Sequence, residues 1–427
     1  MKQQNILNIV VFLVGSLLVT ACSATVPASW IPAGNEMEKV VDVETGRTVV
    51  YLTGGDSIDT QFHYHGETWG EINGRTYLFF ASSRERPAEA GKTRPGERQI
   101  MAVDVETGDL YYLTTVPNEG PGGLAQINVR PYYSTYSAEA KTIFFFNKKR
   151  NEIYGYNCLT GEQKKMLDLP EGAVSRELDD AVDKQRIRLI YPYTIRTKTG
   201  QLGYIVVSDF DRDLNLIATR VVANCPEDEA LNHVEINPQN HDLFFYKHHR
   251  SQQPTGRFIL SPVCIKDLSK PDSSDVIVNP DGRTIDHMIW SASGVYTYWD
   301  DNAGNLMRYS RQTGITEKVG DGINIHNYLS SDETLWVYDL RKDPPYFSQP
   351  FDGMTVKCWR GSIWIHNMAA NNSAKYANII WGDPHPRHPH AVFSPDNRRI
   401  SFVTGMDNEN SRIAMMLVDE NRPEEIK

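Results

Sequence analysis

Closely spaced cysteines are missing from this sequence. Its five cysteines, Cys22, Cys158, Cys225, Cys264 and Cys358, stand far apart in 427 residues, with no Cys-x-x-Cys pair. That spacing argues against zinc-ribbon and thioredoxin-like sites; the last four read as buried small apolar residues, with a bridge among them left open. An excess of basic charge is missing too: 44 Lys and Arg face 54 Asp and Glu, a net charge of −10. Without a basic face to neutralise phosphates, nucleic acid is not expected as a partner. An anionic substrate would have to be attracted locally, by a metal or a few arginines. The chain also lacks a Gly-x-Ser-x-Gly motif and room for a second catalytic domain, which argues against propeller-plus-peptidase serine chemistry. No helix of any length is legible beyond the N-terminal segment.

One apolar run is present, from Ile6 to Val19, and it is too short to span a bilayer as a stable helix. It follows a short segment carrying Lys2 and ends at Val19-Thr20-Ala21-Cys22, small residues before a cysteine. Residues 1–22 therefore read as a secretory signal with a lipobox, and Cys22 as the lipidated first residue of the mature chain. Ser23 rather than aspartate follows it, which favours the outer membrane in a Gram-negative cell. The expected location is that of an exported lipoprotein, in the outer membrane, the periplasm or at the cell surface, touching the membrane through its lipid alone. Residues 23–36, with Pro27 and Pro32 and no periodic pattern, read as a tether.

Residues 37–427 read as one domain, because strand and turn phrases recur through them. Val41-Asp42-Val43-Glu44-Thr45-Gly46 returns as Val103-Asp104-Val105-Glu106-Thr107-Gly108, then in the phrases ending at Gly161 and Gly314. Each is a strand closing on a Thr-Gly turn, where glycine supplies positive φ. A second phrase, a polar turn before a β-rich run, begins at Asn73, Ser137, Asp183, Asn237, Ser291, Ser330 and Ser394. Seven such phrases, each suiting four short strands, predict an all-β, seven-bladed β-propeller of four-stranded antiparallel blades.

Histidines recur in register with those phrases. His233, His287 and His326 stand shortly before the turns at Asn237, Ser291 and Ser330, and His388 and His390 stand in the same relation to Ser394. Equivalent positions of four successive blades thus carry imidazole where inner strands face the central channel. The last group is the densest: residues 382–396 place His385, His388 and His390 within six residues, separated by Pro386 and Pro389. Strand alternation puts His388 and His390 on one face, and the prolines limit the backbone entropy lost in holding three imidazoles together. A metal site is the expected consequence.

These residues resemble the oligogalacturonate lyases, seven-bladed propellers of the pectate lyase 22 type that cleave short uronate chains by β-elimination. The resemblance runs through nearly the whole mature chain. Its most specific part is residues 382–395, similar to the family's Gly-Asp-Arg-Gln-x-x-His-Pro-His-Pro-x-Phe-x-Pro motif. The resemblance implies manganese ligands at His388, His390 and His287, with His385 in the place of the family's Gln. It implies a catalytic base at His233, in Leu231-Asn232-His233. The imidazole replacing an amide makes the site softer and opens it to zinc or nickel. The family's catalytic arginine has no counterpart around residues 201–207, and Arg196 is the nearest candidate.

The chemistry follows from the residue types. Removing the proton beside a uronate carboxylate builds charge that a divalent cation neutralises. A neutral histidine is a suitable base. Lys247, His248 and Arg250 are candidates to hold the acidic sugar, and Tyr246 is a candidate acid for the leaving oxygen, although a strand aromatic in the blade core is the commoner role for such a residue. The expected partner is an acidic oligosaccharide or polysaccharide. A metal-dependent hydrolase and a non-catalytic glycan- or protein-binding propeller remain as alternatives.

Overall fold

The computed structural model describes residues 25–62, 66–84, 99–116, 134–147, 151–175, 177–227, 229–252, 257–260, 262–270, 275–278, 286–301, 304–321, 326–351, 354–383, 387–406 and 410–418. These form seven antiparallel sheets of four to six strands, with no helix among the described residues. The seven sheets are the blades of a β-propeller.

Blade 1 has its inner edge in Asp59–Gln61 and Trp69–Ile72, both paired with Arg75–Ser82, followed outward by Gln99–Asp104 and Asp109–Thr115. Blade 2 runs from Thr135–Ser137 to Gln163–Asp168, and blade 3 from Ala173–Ser175 and Asp179–Val182 to Leu216–Cys225. Blade 4 starts at Ala230–Asn237, blade 5 at Asp286–Trp290 and blade 6 at Asn327–Leu329. Blade 7 joins Val392–Phe393, Arg399–Gly405 and Ser411–Leu417 to Thr48–Tyr51 and Glu38–Val41 from the other end of the chain. That last pairing closes the ring, so no blade is left with an unpartnered flank.

The packing explains the composition of the strands. Each middle strand is covered on both faces by neighbouring blades, so its side chains are apolar in succession rather than alternating. Tyr77, Leu78, Phe79 and Phe80 of blade 1 are all fully buried, as are Ile143 to Phe146 of blade 2. The core is a series of interblade slabs: Phe79 with Tyr136 and Phe145 between blades 1 and 2, Ile363 and Tyr376 with Phe393 and Phe402 between blades 6 and 7. Gly70 is required at one of them, since a Cβ there would lie 2.4 Å from the Tyr136 ring and 2.6 Å from Phe79.

The phrase turns all fall on one face of the disc. Gly46, Gly108, Gly161 and Gly314 take φ between 70° and 80° there, and Asn73-Gly74 φ of 51° and 76°. The inner strands enter from the opposite face. On that entry face blade 6 is extended, with Leu335–Phe351 and Met354–Asn367 pairing beyond the blade proper.

The segment expected as a tether, residues 23–36, differs where it is described. Ile31–Asn35 pairs with Asp109–Thr115 as an added outer strand of blade 1. Trp30 is 4% exposed, packs edge-on against Tyr77 at 4.9 Å, and donates from Nε1 to the Cys158 carbonyl at 2.9 Å. Trp30, with Val26 on the same slab and Ile31 and Ala33 packed beside the added strand, docks this proline-bearing segment. The four described cysteines are buried and form no disulfide with one another.

Candidate metal centre and active site

The histidines of blades 4 to 7 occupy one structural position. His233, His287, His326 and His390 each stand four residues before the first residue of the hairpin turn, Asn237, Ser291, Ser330 and Ser394. His233 and His287 sit at β-bulges, where the register shifts between Asn232 and Glu235 and between Asp286 and Ile289. Their φ is 50°, and that of His390 is 43°. Left-handed backbone at a side chain with a Cβ is unfavourable, and such positions persist where surrounding structure holds them and cluster at functional sites. These bulges interrupt the inner strands of blades 4 and 5 at the histidines. Blade 7 contributes a second ring, His388, from the loop before its inner strand.

The result is an arc of rings. His249 and His233 are 6.4 Å apart between centroids, His233 and His287 6.1 Å, His287 and His326 4.6 Å, and His326 and His390 3.9 Å. At its end, ligand atoms of His326, His388 and His390 all lie within 4.8 Å of one another. Nδ1 of His388 is 3.3 Å from Nε2 of His326. Two nitrogens bound to one ion at zinc-like distances of about 2.0–2.1 Å would be separated by about that much. His326 and His390 are buried and His388 half-buried, so the donors fit a single metal ion.

The cluster is held from behind. Asp339 Oδ2 lies 2.8 Å from His326 Nδ1, and Asp339 Oδ1 accepts the His326 backbone N–H at 3.2 Å, both side chains being fully buried. This fixes which nitrogen of His326 faces its neighbours. Gln61 of blade 1 donates to the His390 carbonyl, and its amide oxygen accepts from Ser401 at 3.0 Å. The Trp381 ring lies 4.0 Å from His388, and Arg341 lies 5.1 Å from the Trp381 centroid. At the other end of the arc Glu177 Oε1 stands 3.7 Å from His233 Nδ1, while Oε2 accepts the Val234 N–H at 3.3 Å.

The expected site residues are distributed as follows. His233, His287, His388 and His390 are all in the arc. The tight cluster, however, contains His326 where His287 was expected, because blade 6 adjoins blade 7 and blade 5 is one step further away. His385 lies outside the described residues, as does Cys22. Arg196 ends the second strand of blade 3 opposite Gln201, exposed and outside the arc. His248 bonds Glu229 at 2.5 Å, and Lys247 is buried opposite Asn232. Arg250 pairs with Leu260 through the backbone, and its side chain lies outside the described residues. Tyr246 is corrected: strand alternation sends it into the slab between blades 3 and 4, where its hydroxyl bonds Asp275 and burial raises its pKa far above the usual tyrosine value. It cannot reach a leaving group in the channel. His326, Asp339, Glu177, Gln61 and Trp381 were missed as site residues; only His326 carried a signal, its register with the other histidines.

A second feature occupies the channel toward the turn face, a cavity of 450 Å³ bordered by Glu67, Asp179, Asp180, Glu235 and Tyr328. Burial pushes Glu67 up to about 7 and Asp180 up to about 6, and holds Asp179 and Glu235 well above the carboxylate range. Asp179 accepts the Ile236 N–H at 2.6 Å and Glu235 the Trp290 N–H at 3.0 Å, so these carboxyls also tie inner strands together.

Comparison with solved structures bears on the fold. An oligogalacturonate lyase in complex with manganese superposes with a TM-score of 0.69 at 15% identity, covering 92% of this chain and 98% of its own. An oligogalacturonate lyase from Vibrio parahaemolyticus gives 0.67 at 16% identity, covering 92% and 99%. No protein-family model matches the sequence, and no curated protein matches it. At these identities the likeness establishes the fold over nearly the full length of both chains.

Proposed function

We propose that this propeller is a metal-dependent lyase that cleaves uronate-containing oligosaccharides by β-elimination. The observation that carries the reading is the arc itself: three imidazoles converging within 4.8 Å beside a fourth and fifth, His287 and His233, with a carboxylate on the outermost. The full-length likeness to two oligogalacturonate lyases supports it.

His326, His388 and His390 would hold the ion, with His287 next to them. An all-imidazole set suits zinc or nickel, and manganese is the ion carried by one structural neighbour. A divalent ion held there supplies positive charge for the uronate carboxylate. His233, steadied by Glu177, accepts the proton from C5 of the uronate. The electron pair forms the C4–C5 double bond, the C4–O bond breaks, and the leaving oxygen takes a proton from water, to which the His233 imidazolium returns one. General-base catalysis of this kind contributes roughly 10²–10⁴-fold. The arc separates the two duties along its length.

Product mass distinguishes this reaction from hydrolysis. On galacturonate oligomers, the metal-loaded protein should yield a fragment lighter by one water than the hydrolytic product. Two fragments that both have the hydrolytic mass, with none lighter by one water, would assign the site to a hydrolase, and absence of any cleavage would assign it to binding.

A further inference from the structure

The N-terminal segment and the histidine arc lie on opposite faces of the disc. Asn73 Nδ2, on an inner hairpin turn, donates to the Thr25 carbonyl at 2.8 Å. Ser29 packs against the Gly161 turn so closely that a Cβ there would come within 2.3 Å of it. Trp30 is then buried between blades 1 and 2. All three contacts are on or beside the turn face, and the chain cannot leave it without uncovering Trp30.

Cys22 precedes Thr25 by three residues. Even fully extended, three residues reach about 10–11 Å. A lipid on Cys22 would therefore hold the turn face close to the bilayer rather than letting the domain swing on a long leash. Three of the large apolar side chains left in solvent also stand on that face. Val43 is 99% exposed at the tip of its turn in blade 7, Leu159 45% in blade 2 and Ile315 58% in blade 5. They stand around the rim, while the channel carboxyls are recessed within it. Apolar tips of this kind add to a lipid anchor by burying in the interfacial region.

We propose that the chain, acylated at Cys22, is seated on the lipid bilayer by its turn face, so that the histidine face opens away from the membrane. The seat rests on acylation of Cys22 and is independent of the reaction assigned to the arc. It makes the surface around Val43, Leu159 and Ile315 a membrane-contacting one, and gives polymeric substrate an unobstructed approach to the opposite face.

Full-length protein is purified from membranes and reconstituted in phosphatidylethanolamine–phosphatidylglycerol vesicles containing a nitroxide-headgroup lipid. Fluorophores are placed at V43C, L159C or Tyr346→Cys, the last on the blade 6 extension of the histidine face; the described native cysteines are buried. Expected are an acyl mass on Cys22, loss of vesicle association in Cys22→Ser, and quenching at positions 43 and 159 severalfold greater than at 346. Equal quenching at all three positions, as for a freely tumbling domain or a contact between copies, overturns the proposal. So does stronger quenching at 346, a chain without acyl mass, or a Cys22→Ser variant that still binds vesicles.

Discussion

Asp339 and His326 form a buried pair in which the carboxylate holds Nδ1 of the imidazole at 2.8 Å and its backbone N–H at 3.2 Å. The pair leaves Nε2 directed at His388. Partners of this kind set the tautomer and basicity of a ligating histidine, and their loss typically weakens metal binding 10–100-fold. Asp339→Asn should lower affinity for zinc and manganese by about that factor in a competition titration. Unchanged affinity would separate Asp339 from the metal centre.

The two ends of the arc should separate by mutation. His388→Ala and His390→Ala should lose both bound metal and turnover, and His326→Ala should do the same, although the motif resemblance assigned that duty to His287. His233→Ala should keep its metal and lose turnover by roughly 10²–10⁴-fold. Metal content by elemental analysis, measured on the same samples as activity, distinguishes the cases. Equal metal loss in all four variants would contradict the division between base and ligands.

Glu67 makes the channel a source of pH dependence. Its carboxyl is raised from 4.5 to about 7, chiefly by burial, against the N–H donors of Trp69 and Thr68. Between those values the folded state binds more protons than the unfolded state, so this group's contribution to stability falls as pH rises through the window and is constant above it. Glu67 is half-buried at the cavity, and screening by channel water reduces the effect to about 1 kcal/mol. Glu67→Gln should raise the thermal midpoint at pH 8 and leave it nearly unchanged at pH 4. An equal shift at both would make the effect one of packing rather than ionisation.

Trp30 gives the docked N-terminus a measurable weight. Trp30→Ala removes a buried indole from the slab holding Tyr77, Phe79 and Tyr111, at a cost of about 3–5 kcal/mol. Denaturant unfolding should show a lower midpoint of that size. A change below about 1 kcal/mol would mean that the segment contributes little to the fold.

The seven phrases were legible because hairpin turns demand particular residues, and glycine or asparagine at positive φ recurs at Asn73-Gly74 and at the Thr-Gly turns. The histidines were legible for a related reason: a channel-facing position repeats once per blade. What sequence could not supply was the spacing between blades. It decides that His326 joins His388 and His390 while His287 stands one step back, and it brings Glu177 of blade 3 behind His233 of blade 4; Asp339 reaches His326 across their own blade's hairpin. Tyr246 failed for a local reason, since its strand's alternation directs it into a slab. The docking of Trp30 was hidden because a segment without periodicity gives no sign of a partner groove.

Elimination at a metal-bearing histidine site has a direct optical signature. Absorbance in the ultraviolet band of a 4,5-unsaturated uronate, followed on a panel of uronate oligomers and polymers with and without chelator, tests it most directly. The signal should rise on at least one substrate, be abolished by chelator and be restored by added divalent metal. A signal indifferent to chelator, or no signal on any substrate with metal confirmed on His326, His388 and His390, would contradict it.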